Sequence, residues 1–134
     1  MHDRKLDALI LQLETYLECW KQFNRGCNLA HAQKFSAEDE SQFLEVKSII
    51  VQNLEHILAL VDNGTPTRAE THALIAAAPS LRAVSHLDEA QLKQIENQWH
   101  KIYIAWHSIL GQLKVRQRNL AQRSPFAAWF GKKS

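Results

Sequence analysis

Apolar residues along the C-terminal third of the chain recur at Leu92, Ile95, Trp99, Ile102, Trp106, Ile109, Leu113 and Leu120, in alternating steps of three and four that only Arg116 interrupts. That is the heptad rhythm of a helix packed on other helices, and it predicts a long helix from about Asp88 to Arg123. The N-terminal third carries the same signal. Leu6, Leu13, Trp20 and Cys27 repeat at seven, and Ile10, Leu17, Phe23 and Ala30 fill the intermediate positions, so one stripe runs from Asp3 into the low thirties. Gly26 lies inside this stripe. A glycine there costs about 1 kcal/mol relative to alanine, yet the apolar series passes through it, and an unbroken helix is expected.

Between these segments Phe43, Val46, Ile50, Leu54, Ile57 and Val61 share one face of a third long helix. Ser36, followed by Asp39 and Glu40, has the residues of an N-terminal cap, and Asn63-Gly64 supplies a pair able to take positive φ after an end near Asp62. Thr67 and Glu70 have capping-box spacing for a short helix that Pro79 stops after Ala78. Leu81 and Val84 form one more turn, and Ser85 or His86, ahead of Asp88 and Glu89, is expected to open the last helix. The fold class that follows is all-α: an antiparallel bundle of three long helices, with a short helix in the crossover between the second and last long helices. A last helix of roughly 36 residues would be about 54 Å long, longer than the others, so its basic C-terminal end is expected to overhang. In helix lengths alone the chain resembles small helical-hairpin chaperones of bacterial export systems, a resemblance that carries no site residue across.

With 134 residues and 46% hydrophobic content, the chain reads as one bundle domain over residues 1–123 followed by a tail over 124–134. Apolar runs reach only about five residues, against the ~20 a membrane-spanning helix needs. The mixed charges of Met1-His2-Asp3-Arg4-Lys5 do not read as a secretory signal, and a cytoplasmic location is expected. Cys19 and Cys27, eight positions apart on one helix, would be roughly 12 Å apart, beyond the ~7 Å limit of a disulfide, and are expected as reduced thiols. Charge is unevenly placed. Residues 1–63 hold six basic and ten acidic side chains, residues 64–111 four of each, and residues 112–134 six basic and none acidic. The C-terminus is therefore a positive pole that favours anionic partners at short range.

Catalytic chemistry finds little support. The seven histidines never stand in a His-x-x-x-His, His-Glu-x-x-His or Glu-x-x-His relation that would aim ligands at one ion; the nearest approach is Glu96 with His100. No Gly-x-Ser-x-Gly or grouped glycines for a phosphate loop occur, and Asp39-Glu40 and Asp88-Glu89 sit in first helical turns where dipole compensation explains them. The chain is expected not to be an enzyme and to need no metal or cofactor.

Two features exceed what a small bundle needs. Tyr103, Ile104 and Leu110 widen the apolar face that Trp99 and Trp106 begin, so the middle of the last helix needs more than one neighbour. The tail then places Phe126, Trp129 and Phe130 ahead of Lys132 and Lys133, rings that need a dry surface, which either folding back onto the bundle or docking in a partner's groove would supply. The reading that follows is a non-enzymatic protein–protein interaction module, whether adaptor, chaperone-like or structural subunit. Its partner-binding residues are Trp99, Tyr103, Trp106, Leu110, Arg116, Phe126, Trp129, Phe130, Lys132 and Lys133. The partner is a protein of unknown identity, with a homodimer as one way of covering the surplus. The alternative is a peripheral membrane-surface or nucleic-acid binder acting through the basic pole; the tail is short for a membrane anchor, and the small basic set disfavours nucleic acid.

Overall fold

In the computed structural model, which describes residues 3–61, 66 and 68–122, every regular element among the described residues is helical. The order is α1 (Arg4–His31), α2 (Ala37–Leu60), α3 (Arg68–Ala77), α4 (Leu81–Ser85) and α5 (Glu89–Gln122). The three long helices and the short crossover helix fall where the apolar periodicity puts them.

Local chemistry explains most of the ends. The Asp3 carboxylate accepts the amides of Lys5 and Leu6 at the start of α1. The helix passes through Gly26, which is buried; a Cβ there would lie 2.6 Å from Phe43 and 3.2 Å from Leu81. The missing side chain is what lets α2 and α4 approach α1. Past the end of α1, the amides of Gln33 and Lys34 bond back to the carbonyls of Ala30 and Leu29, with Gln33 at φ 59°, the geometry of a Schellman closure. Ser36 and Asp39 form a reciprocal capping box on α2. That helix ends at Leu60, and Asp62, Asn63, Gly64 and Thr67 lie outside the described residues.

Two expectations need correction. The cap of α5 is neither Ser85 nor His86: the Asp88 carboxylate accepts the Gln91 amide at 2.8 Å, and the Gln91 side chain accepts the Asp88 amide at 3.1 Å. Ser85 and His86 instead close α4, the His86 amide bonding back to Ala83. Nor does the basic end of α5 overhang within the described residues. The Gln117 side chain donates to Asp7 in the first turn of α1 at 2.8 Å, and Leu120 still packs against the core. The greater length of α5 is taken up along α1 rather than left beyond it.

Both α2 and α5 run antiparallel to α1. Phe23 meets Phe43 at 5.2 Å between ring centroids, and Trp99 donates its indole N–H to the Trp20 carbonyl at 2.7 Å. Between themselves α2 and α5 have at most marginal contact; α3 packs on both, and α4 on α1 and α2. The crossover thus returns along the bundle as a fourth, broken leg, in up-down-up-down order. Its central residues, Thr71, Leu74, Leu81 and Val84, are fully buried. In the core, Tyr16 makes edge-to-face contacts with Trp20 and Trp106 at 6.2 and 5.6 Å, and Trp20 with Phe23 at 5.4 Å. Such pairs contribute about 0.5–1.5 kcal/mol each beyond area burial. Among the described residues no helix is long and apolar enough to cross a membrane.

Candidate functional site

The middle of α5 divides in two. Trp106 and Leu110, expected to meet a partner, are only 1% and 7% exposed and belong to the core. The reason is the crossover: α3 packs against α5 from one side while α1 packs from another, and together they cover a face that α5 alone leaves open. Trp99 and Tyr103 remain half-buried, their rings stacked at 4.8 Å and 17°. Tyr103 continues to His107 at 5.9 Å and Trp99 to His100 at 6.4 Å, both histidines exposed, and Ile104 beside them is 52% exposed. This is an aromatic strip at the surface, anchored by the Trp99 hydrogen bond.

Arg116 is exposed but does not join the strip. At 1.5 Å per residue it lies roughly 20 Å further along α5 than Tyr103, where it lines an end cleft with Asp3, Leu6, Val61 and Leu113. Phe126, Trp129, Phe130, Lys132 and Lys133 lie outside the described residues.

A larger apolar feature was not expected. Between α1 and α2 runs a groove of about 650 Å³, walled by Leu9, Leu11, Tyr16, Cys19, Ile49 and Leu60, with Lys5, Asn53 and His56 at its edge. Leu11 is 67% and Leu60 48% exposed. The sequence held the signal: Leu9, Leu11, Ile49 and Leu60 all lie off the core stripes of their helices, the same surplus that drew attention to α5. Lys5, Leu9 and Leu60 also line the end cleft, which therefore adjoins the groove.

The two cysteine thiols are held in their neutral form. Burial pushes the Cys27 thiol up to about 12; burial, and then the neighbouring Glu18 charge, also raise Cys19. Neither thiol is a ready nucleophile at neutral pH, and both are unpaired in the core. Burial likewise raises the Tyr16 phenol. Its hydroxyl lies by Trp20 but, like the indole N–H groups of Trp20 and Trp106, makes no hydrogen bond of good geometry. Burial lowers Lys47, which donates to the Pro79 carbonyl at 2.9 Å and sits 5.9 Å from the Phe43 ring. Among the described residues no three His, Cys, Asp or Glu side chains converge as a metal site would require. What the surface offers is apolar and aromatic area: the α5 strip and the α1–α2 groove.

The chain matches no protein-family model, no curated protein and no solved structure.

Proposed function

We propose that this chain is a non-enzymatic protein-binding module that presents the Trp99–Tyr103–Ile104 strip of α5 and the aromatic–basic C-terminal segment to a protein partner. The observation that carries the reading is the stacked Trp99–Tyr103 pair left at the surface once Trp106 and Leu110 have filled the core. Tryptophan, tyrosine and arginine are the side chains that most often dominate binding energy when a partner completes their burial. The tail adds Phe126, Trp129 and Phe130 followed by two lysines. A second copy of the chain is one partner that such surfaces fit. The two cysteines, held as free buried thiols, agree with a reducing, cytoplasmic setting.

Solution mass and affinity capture together test this. The intact chain is expected to capture a partner or to self-associate. Ile104→Glu, and separately serine at Phe126, Trp129 and Phe130, should weaken that association at least tenfold without changing helicity. A strictly monomeric chain that captures nothing would overturn the reading.

A second reading rests on the basic pole. With six basic and no acidic side chains in residues 112–134, and Arg116 and Arg118 exposed, the C-terminal end suits an anionic surface. Binding to anionic vesicles or RNA that falls steeply with added salt would favour it; protein capture insensitive to salt would favour the first.

A further inference from the structure

We propose that the α1–α2 groove is the interface of a twofold-symmetric homodimer, in which α1 of one copy lies antiparallel on α1 of the other. The inference goes beyond the protein-binding reading of α5 and the tail, because no groove residue belongs to either.

Leu11 and Leu60 stand 67% and 48% exposed on the two walls of a largely apolar trough, and contiguous apolar area of this kind marks an interaction site. What selects a second copy as the occupant is the symmetry of the pattern. A twofold interface needs a surface complementary to itself. On α1, Arg4, Leu11 and Glu18 recur at seven and form one ridge, all three exposed: a cation, a leucine and an anion. Rotation about an axis across the helices at Leu11 lays leucine on leucine and sets Arg4 of each copy beside Glu18 of the other. Lys5, at the groove edge, adds to the cationic end, and Glu45, exposed one turn from Ile49, adds to the anionic end.

The α2 wall obeys the same axis. Phe23 packs on Phe43 and the helices are antiparallel, so counting back along α1 and forward along α2 puts Ile49 level with Leu17 and Leu60 level with Leu6. Leu11 stands about midway between those levels. The rotation that pairs Leu11 with itself therefore carries Leu60 onto Ile49 of the other copy and Asn53 onto His56. Apolar side chains meet apolar ones at both ends of the wall, and polar ones meet between.

Area agrees. The groove follows α1 from Lys5 to Cys19, about 21 Å at helical rise, and two helices abreast are about 20 Å wide. Two such faces bury on the order of 1,000 Å² between them, close to the lower limit of a specific interface, so a dissociation constant in the micromolar range is expected. Within its own chain Glu18 has an exposed neighbour, Lys21, at 3.8 Å. Exposed pairs are worth little, and the crossed Arg4–Glu18 pairs set orientation more than affinity. The leucine and isoleucine contacts supply the binding.

Sedimentation equilibrium of the full chain over a range of concentrations tests this. A monomer–dimer equilibrium is expected. Leu11→Glu and, separately, Leu60→Glu should weaken it about tenfold or more, since each buries a carboxylate in the apolar contact; both side chains are exposed in the monomer, so helicity should not change. Arg4→Glu and Glu18→Arg should each weaken it roughly threefold, and the double variant should restore it, because reversing both charges keeps the crossed pairs. Ile104→Glu, on the α5 strip, should leave it unaltered. Four outcomes overturn the proposal: a monomer at every concentration, a dimer indifferent to both leucine variants, a dimer lost with Ile104→Glu, or a double charge reversal no tighter than the single ones. A monomeric chain that captures a partner through the strip overturns the groove dimer alone, whereas a groove dimer that captures nothing supports the dimer and counts against the strip.

Discussion

Two glycines in the interior of long helices separate backbone propensity from packing. At Gly26 the missing Cβ makes room for the Phe43 ring and the Leu81 side chain, which would sit 2.6 and 3.2 Å from it. At Gly111 nothing lies within 4 Å. Alanine gains about 1 kcal/mol of helix propensity at either place. At Gly111 that gain should appear in full, raising stability by about 0.5–1 kcal/mol. At Gly26 it must be set against overpacking that typically costs 1–3 kcal/mol, so Gly26→Ala should destabilise by about 1 kcal/mol. Urea unfolding of the two variants checks the signs; a stabilising Gly26→Ala would show that Phe43 has slack to move. The heptad series passes through Gly26 and so forecasts the continuous helix, but it holds no information on Phe43 or Leu81, which come from other helices.

At the scale of elements, caps matter more than exposed ion pairs. The α5 box between Asp88 and Gln91 is local, and Asp88→Ala should cost about 1 kcal/mol. α4 is different. It has five residues, far below the length at which a helix holds alone, and its first amides are met from outside. The Glu40 carboxylate of α2 accepts from Leu81 at 2.7 Å and Arg82 at 3.2 Å. Gln33, at the end of α1, donates to the Ser85 carbonyl at 2.9 Å. Glu40→Ala should therefore cost about 1–2 kcal/mol and speed amide exchange across residues 81–85 before the rest of the chain opens, whereas Lys114→Ala, which removes a half-exposed pair with Glu14 at 3.6 Å, should cost under about 0.5 kcal/mol. Equal exchange throughout the chain in the Glu40 variant would contradict this account. The Ser36 cap was legible because its partners lie within three residues. The Glu40 cap was not, because donor and acceptor are about forty positions apart in the chain.

For the whole molecule α1 is the hub. α2, α4 and α5 all pack on it, and its buried residues include Tyr16 and Cys27. Both groups titrate higher in the folded chain than their ordinary values of 10.0 and 9.0. Between pH 9 and about 12 the folded state keeps the Cys27 proton that the unfolded chain releases, and above pH 10 the same holds for Tyr16. Unfolding is favoured as pH rises, by about 1.4 kcal/mol per pH unit for each group once its unfolded form is ionised. Stability should be level from pH 7 to 8.5 as far as these two groups act, then fall. Cys27→Ala should lower the plateau through lost packing but flatten the decline between pH 9 and 10. Urea midpoints across that range measure it, and an unchanged slope in the variant would exclude Cys27 as a source.

The apolar rhythm determined the helices, their approximate limits and the all-α class, because a helix that must bury one face writes that need into residues three and four apart. It could not determine which of the surplus apolar residues would remain outside. Trp99 and Trp106 are one heptad apart and look alike in the sequence, yet Trp106 is sealed in the core and Trp99 lies at its edge. Leu11 and Leu60, distant along the chain, face one groove. The first outcome depends on how α1 and α3 pack against α5, the second on how α1 and α2 pair. Burial is a property of all neighbours at once, and only the assembled bundle supplies them.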